Sequence, residues 1–150
     1  MVPGEKSHPT PEFVREVFRR HDLRCTHQRE MVFVGLWSML THPTADELYQ
    51  TLHAQDPNIS LATVYNTLDA LSEVGLVRKL PSPSGPCRYD AEMSPHVHIA
   101  MPDGRIMDAP PEVSSRLLAA LPESVLRDLE SSMGIAVAGV QLQVVAARPQ

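Results

Sequence analysis

Four hydroxyl side chains divide the first half of this chain. Thr10, Thr26, Thr44 and Ser60 each stand just before a stretch whose apolar residues recur at helical spacing. A hydroxyl there accepts a hydrogen bond from a backbone donor that the first helical turn leaves unsatisfied. Thr10 is followed by Pro11, suited to a first turn, and by the stripe Phe13, Val14, Val17 and Phe18, with Asp22 and Leu23 ending the helix. Thr26 precedes Met31, Val32, Val34, Leu36, Trp37 and Leu40. Thr44-Ala45-Asp46-Glu47 is a capping box, predicting a third helix to about Ala54. Ser60 opens a fourth, to about Val74, with Gly75 placed for a left-handed stop. Short strands at 76–80 and 87–90 then flank the proline-rich loop 81–86. After a loose start through about Pro9, helices followed by a hairpin predict a winged helix-turn-helix over residues 1–90.

From residue 91 the pattern changes. Residues 97–101 and 105–109 read as a hairpin around Pro102-Asp103-Gly104. Pro110 and Pro111 lead into a helix carrying Val113, Leu117, Leu118 and Leu121, and Pro122 starts another with Val125, Leu126 and Leu129, ending at Gly134. Residues 135–147 read as a last strand, its Val140, Leu142 and Val144 alternating with Gly139, Gln141 and Gln143. The fold class expected is α+β, a winged helix followed by a small α/β dimerisation domain over 91–150. Dimerisation is expected because so short a module buries little core alone. The chain's 150 residues, 43% of them apolar, suffice for two such cores.

Charge argues against a global attraction to nucleic acid: eight basic against ten acidic residues through Leu80, then five against eight. Eight of the 13 basic residues, however, fall near the first two helices or the hairpin loop: Arg15, Arg19, Arg20, Arg24, Arg29, Arg78, Lys79 and Arg88. The fourth helix offers Leu61, Val64, Leu68 and Leu71 to a core, and Ser60, Thr63, Asn66 and Thr67 with Tyr65 to the other side. Such a face is either merely solvated or suited to a DNA major groove, where Asn reads adenine and Tyr meets a thymine methyl or a phosphate. No apolar run approaches a membrane span and no signal-peptide core opens the chain, so a cytoplasmic protein is expected. Two cysteines, Cys25 and Cys87, cannot form a four-thiolate zinc site and are expected to be buried apolar thiols.

Metal chemistry therefore falls to histidine. His96-Val97-His98 projects two imidazoles to one side of a strand. Asp90 ends the hairpin just before them, Asp108 lies on the facing strand, and His42 sits at the turn before the third helix. Each also has a bland reading, as turn, cap or loop residue. Together, three imidazoles and two carboxylates suit five- or six-coordinate Fe(II) or Mn(II) better than tetrahedral zinc.

These residues give the chain a resemblance to the ferric uptake regulator family of metal-responsive repressors, and within it to the peroxide-responsive branch. It runs from about Leu23 to Val145 and rests on four ordered stretches: His42-Pro-Thr-Ala-Asp-Glu-Leu-Tyr49, Ser60-Leu-Ala-Thr-Val-Tyr-Asn-Thr-Leu68, Arg88-Tyr-Asp90, and His96-Val-His98 ahead of Gly104-Arg-Ile-Met-Asp108. The resemblance implies a homodimer that binds double-stranded operator DNA when Mn(II) or Fe(II) is bound. His42, Asp90, His96, His98 and Asp108 match the metal positions, Tyr65 a DNA-contacting tyrosine, and Arg24 and Arg29 basic positions near the second helix. One ion at the domain junction would then fix the spacing of two recognition helices at about one DNA turn, near 34 Å. In the peroxide-responsive branch a ligating histidine is oxidised when the Fe(II) form meets peroxide, and Asp108 rather than Glu agrees with that chemistry.

Two departures stand out. Most members carry one Cys-x-x-Cys before the glycine and a second beyond the last strand, holding a structural zinc; here those places read Met101-Pro-Asp-Gly104 and Ala147-Arg-Pro-Gln150. No structural zinc of the four-cysteine type is expected. Pro95 and Val97 stand where many members have further ligands, which argues against a second sensory site. Two other readings compete: a non-haem Fe(II) enzyme, disfavoured because no nucleophile or general base can be named, and a winged-helix regulator whose metal site has decayed.

Overall fold

The structure is a computed structural model and describes residues 8–39, 41–92 and 94–149. Most of the predicted loose start, and Leu40 of the second stripe, lie outside the described residues; Pro9 is buried. The chain divides into two compact units, Met1–Met93 and Ser94–Gln150.

The first unit holds α1 (Pro11–Arg20), α2 (His27–Ser38), α3 (Ala45–Gln55), α4 (Leu61–Glu73), β1 (Arg78–Leu80) and β2 (Arg88–Asp90). All four hydroxyl caps form: Thr10 accepts from the Phe13 amide at 3.1 Å, Thr26 from Arg29 at 3.2 Å, Thr44 from Glu47 at 3.2 Å and Ser60 from Thr63 at 3.1 Å. The capping box closes reciprocally, the Thr44 amide donating to Glu47 Oε2 at 3.3 Å. After α4, Gly75 takes φ +81°, a conformation that costs a Cβ-bearing residue about 1 kcal/mol. The chain then turns into an antiparallel hairpin that pairs Arg78 with Asp90 and Leu80 with Arg88.

Val14 and Phe18 of α1, Val32, Phe33 and Leu36 of α2, Leu48 and Leu52 of α3, and Val64, Leu68 and Leu71 of α4 form one core, closed by Tyr89 of β2. Phe33 is absent from the predicted stripe yet buried, because α2 packs against α1, α3 and α4 at once and so buries more than one face. Phe13, by contrast, is exposed and meets Trp37 edge-on at 5.8 Å.

The second unit holds β3 (His98–Ala100), β4 (Ile106–Asp108), α5 (Pro111–Ala119), α6 (Glu123–Met133) and β5 (Gln143–Val145). β3 lies between antiparallel β4 and parallel β5. The last strand is much shorter than the 135–147 expected. β3 offers only three rows for pairing, and the Val137 amide turns back to Glu130 Oε1 at 2.7 Å instead of joining a sheet. The predicted burial of its apolar residues is not reached within the chain: Val140, Val144 and Val145 are exposed. None of the described residues of α6 is buried, and Val113 and Leu117 of α5 are exposed as well. Among the described residues no helix is long and apolar enough to cross a membrane.

Candidate functional site

In the first unit His42 has left α2 and not yet entered α3. Its φ of 49° lies in the left-handed region, where a side chain with a Cβ persists only if its surroundings hold it. They do. The imidazole is only 2% exposed, and its Nδ1 lies 3.7 Å from Oδ1 of Asp90, also 2% exposed. The Tyr89 amide donates to the Pro43 carbonyl at 3.0 Å, and Asp90 Oδ1 accepts from the Glu92 amide at 2.8 Å. Strand β2 thus presses one carboxylate against one buried imidazole.

The second unit gathers His96, His98 and Asp108. The expected strand pair is half right: His98 opens β3 and His96 lies just ahead of it. Their rings are nevertheless 4.3 Å apart, and the strand register sets Asp108 opposite His98. Both Nε2 atoms face Asp108 Oδ1, at 3.2 Å from His96 and 3.6 Å from His98. His96 Nδ1 lies 2.7 Å from the Ser94 carbonyl oxygen, which can only accept, so the proton of a neutral ring belongs on Nδ1. Nε2 then turns its lone pair toward a carboxylate oxygen, an arrangement that a shared cation would satisfy. Nitrogen and oxygen donors of this kind fit Mn(II) or Fe(II). Behind them Ser114 of α5, buried, accepts from the Val97 amide at 2.6 Å and fixes the spacer between the two histidines. Sequence reading missed Ser114; its only signal is a hydroxyl inside an amphipathic helix.

The residues expected to meet DNA all lie in the first unit. Asn66 is exposed on α4, and with Thr26, Gln28, Arg29, Thr63 and Thr67 it lines a polar hollow of about 180 Å³. Arg29 donates to the Arg24 carbonyl at 3.1 Å, which ties the two expected basic positions together. Tyr65 is 39% exposed and donates to Asp46 Oδ2 at 3.2 Å; partial desolvation and that carboxylate push its phenol above the usual tyrosine range. The Ser60 and Thr63 hydroxyls lie 2.8 Å apart and serve the cap of α4. Thr67 is buried, so it reaches the predicted polar face only at the floor of that hollow.

Several basic residues expected to face phosphate are already engaged. Arg19 and Arg20 both grip Glu16, and their hydrogen bonds lower its carboxyl to about 2. Lys79 pairs with Asp69 at 2.8 Å, and Arg88 pairs with Glu47.

Residues 20–127 match the sequence profile of the Ferric uptake regulator family. The chain belongs to the ferric uptake regulator family. The peroxide-responsive repressor PerR of Staphylococcus saprophyticus is 40% identical to it over 91 residues, so the match spans 60% of this chain and 62% of that relative. The Campylobacter jejuni peroxide stress regulator superposes with a TM-score of 0.64 at 25% identity, covering 93% of this chain and 96% of that one. The ferric uptake regulator of Pseudomonas aeruginosa with manganese gives a TM-score of 0.69 at 21% identity, over 91% of this chain and 98% of that one, and shares the fold.

In this family member the Met101–Gly104 stretch forms a tight turn. The Met101 amide donates to the Arg105 carbonyl at 2.8 Å, and Asp103 takes the Arg105 guanidinium at 2.7 Å. Cys25 departs from expectation. It is exposed, its thiol donates to Glu30 Oε1 at 2.7 Å, and partial desolvation of the sulfur followed by that carboxylate raises its pKa. Cys87 is half-buried against the core.

Proposed function

We propose that this ferric uptake regulator family member is a Mn(II)- or Fe(II)-dependent transcriptional regulator. It acts in the cytoplasm as a homodimer on double-stranded operator DNA, repressing metal-uptake or oxidative-stress genes. What carries this reading is the pair of imidazole Nε2 atoms turned on one carboxylate oxygen of Asp108. Residues 1–90 bind DNA and residues 91–150 dimerise. One ion is held by His42, Asp90, His96, His98 and Asp108, each of which offers one donor atom. When bound, the divalent cation supplies the positive charge that these anionic and lone-pair donors require. His42 and Asp90 bring ligands from the winged helix and the other three bring them from the α/β module, so binding would restrict the angle between the two. Arg24, Arg29, Ser60, Thr63, Tyr65 and Asn66 are the DNA-contacting set, with Ser60 holding the end of the reading helix. The exposed Val125, Leu129, Met133, Val144 and Val145 support a second copy as the partner of 91–150.

The test is retention of operator DNA in a titration with Mn(II), Fe(II) and Zn(II), on protein first analysed for bound metals. Tighter DNA binding with Mn(II) or Fe(II), lost in His98→Ala, is the expected result. DNA binding indifferent to every metal would leave the regulator with a decayed site. A peroxide-sensing variant of the reading is supported by the relative named as peroxide-responsive. It expects His42 or His96 to gain an oxygen, and DNA affinity to fall, when the Fe(II)-loaded protein is pulsed with peroxide. The Mn(II)-loaded protein should remain unmodified. Peptide mass spectrometry reads both.

A further inference from the structure

We infer that Arg88 is a positioning residue for His42, seating the ligand turn through its carbonyl without itself touching the ion. Sequence alone places Arg88 at the wing as a candidate phosphate contact, but the geometry turns it inward. Its side chain is only 14% exposed. Nη1 donates to the His42 carbonyl at 3.2 Å and to Glu47 Oε2 at 3.2 Å, while Nη2 reaches Glu47 Oε1 at 3.4 Å. Glu47 in turn closes the capping box of α3 by accepting from the Thr44 amide, so the guanidinium is braced by the helix that follows the ligand. Three consecutive residues of β2 therefore hold the same turn: Arg88 by its side chain, Tyr89 by its amide on the Pro43 carbonyl, and Asp90 by the carboxylate beside the imidazole. A planar fork with fixed donors suits this task better than a flexible ammonium. The need for it is visible in the φ of 49° at His42, which the Arg88 bond to its carbonyl helps to hold.

This inference rests on the proposed metal reading, and the experiment separates the two. Mn(II) affinity is measured without DNA, from the free-ion EPR signal, on the full chain and on Arg88→Ala, Arg88→Lys, Glu47→Gln, His42→Ala and Arg88→Ala/His42→Ala. Loss of a support behind a ligand typically weakens metal binding about 10- to 100-fold. Arg88→Ala is expected to show that loss, Arg88→Lys a smaller one, and Glu47→Gln a severalfold one, since Gln keeps the capping box but gives up the charged fork. In the His42→Ala background Arg88→Ala should add nothing, because its effect passes through that ligand. Unchanged affinity in Arg88→Ala, or a full additive loss in the double variant, would overturn the inference. If Arg88→Ala does not fold, Glu47→Gln alone and combined with His42→Ala decides the matter in the same way. Unchanged affinity in His42→Ala would instead overturn the metal reading.

Discussion

Tyr65 and Asp46 form a contact across 19 positions of sequence on the side of the first unit expected to meet DNA. Because the Asp46 carboxylate disfavours a phenolate beside it, Asp46→Asn should lower the ionisation point of Tyr65 toward that of an ordinary tyrosine, visible in an ultraviolet absorbance titration. Tyr65→Ala should weaken operator binding and leave Mn(II) affinity unchanged, since Tyr65 is not among the proposed metal ligands. Equal loss of both would show that the tyrosine acts through the fold. Cys25 lends itself to a similar test. With its pKa raised it carries little thiolate, so it should alkylate slowly at neutral pH despite its exposure, and faster in Glu30→Gln. The candidate ligands were legible from residue type and spacing, because few side chains bind metals. The partners of Arg88 and Cys25 were not, since a charge or a thiol in sequence does not say what it will meet.

At the level of elements, the hydroxyl caps give the clearest correspondence between sequence and structure, for the bond from a cap to the amide three residues on is purely local. Thr44→Ala should lower stability by about 1 kcal/mol in urea unfolding, with an unchanged denaturant slope. It should also weaken Mn(II) binding slightly, because Thr44 begins the helix that braces the His42 turn. The helix ends near Arg20, Gln55 and Glu73 also fall close to where the sequence places them, on local stop signals such as Gly75. Burial and pairing are not local in this way. Phe33 is buried because three helices surround α2, and residues 135–141 stay out of the sheet because β3 is short, which no alternation along one segment records. The winged helix was therefore legible nearly whole, and the final strand only at Gln143–Val145.

At the scale of the whole molecule, the apolar surface of α6 and β5 predicts self-association. Leu129→Asp, a change at an exposed position, should shift the sedimentation coefficient from dimer to monomer while far-ultraviolet circular dichroism stays the same. Dialysis against a chelator should leave no stoichiometric zinc, because two cysteines in one unit cannot supply four thiolates. The parallel partnership of β5 with β3 bears finally on the order in which the second unit assembles. The β3–β4 hairpin closes a short loop, whereas joining Gln143 to His98 closes one about two doublings longer, at about 0.6 kcal/mol for each doubling. Hydrogen exchange should therefore find the Ala109 amide, bonded to Val97, slower to exchange than the Ala146 amide, bonded to Ala100. The strand pair that carries His98 and Asp108 would be in place before the last strand zips onto its edge, so the geometry of these two candidate ligands is set early and the outer edge of the sheet late.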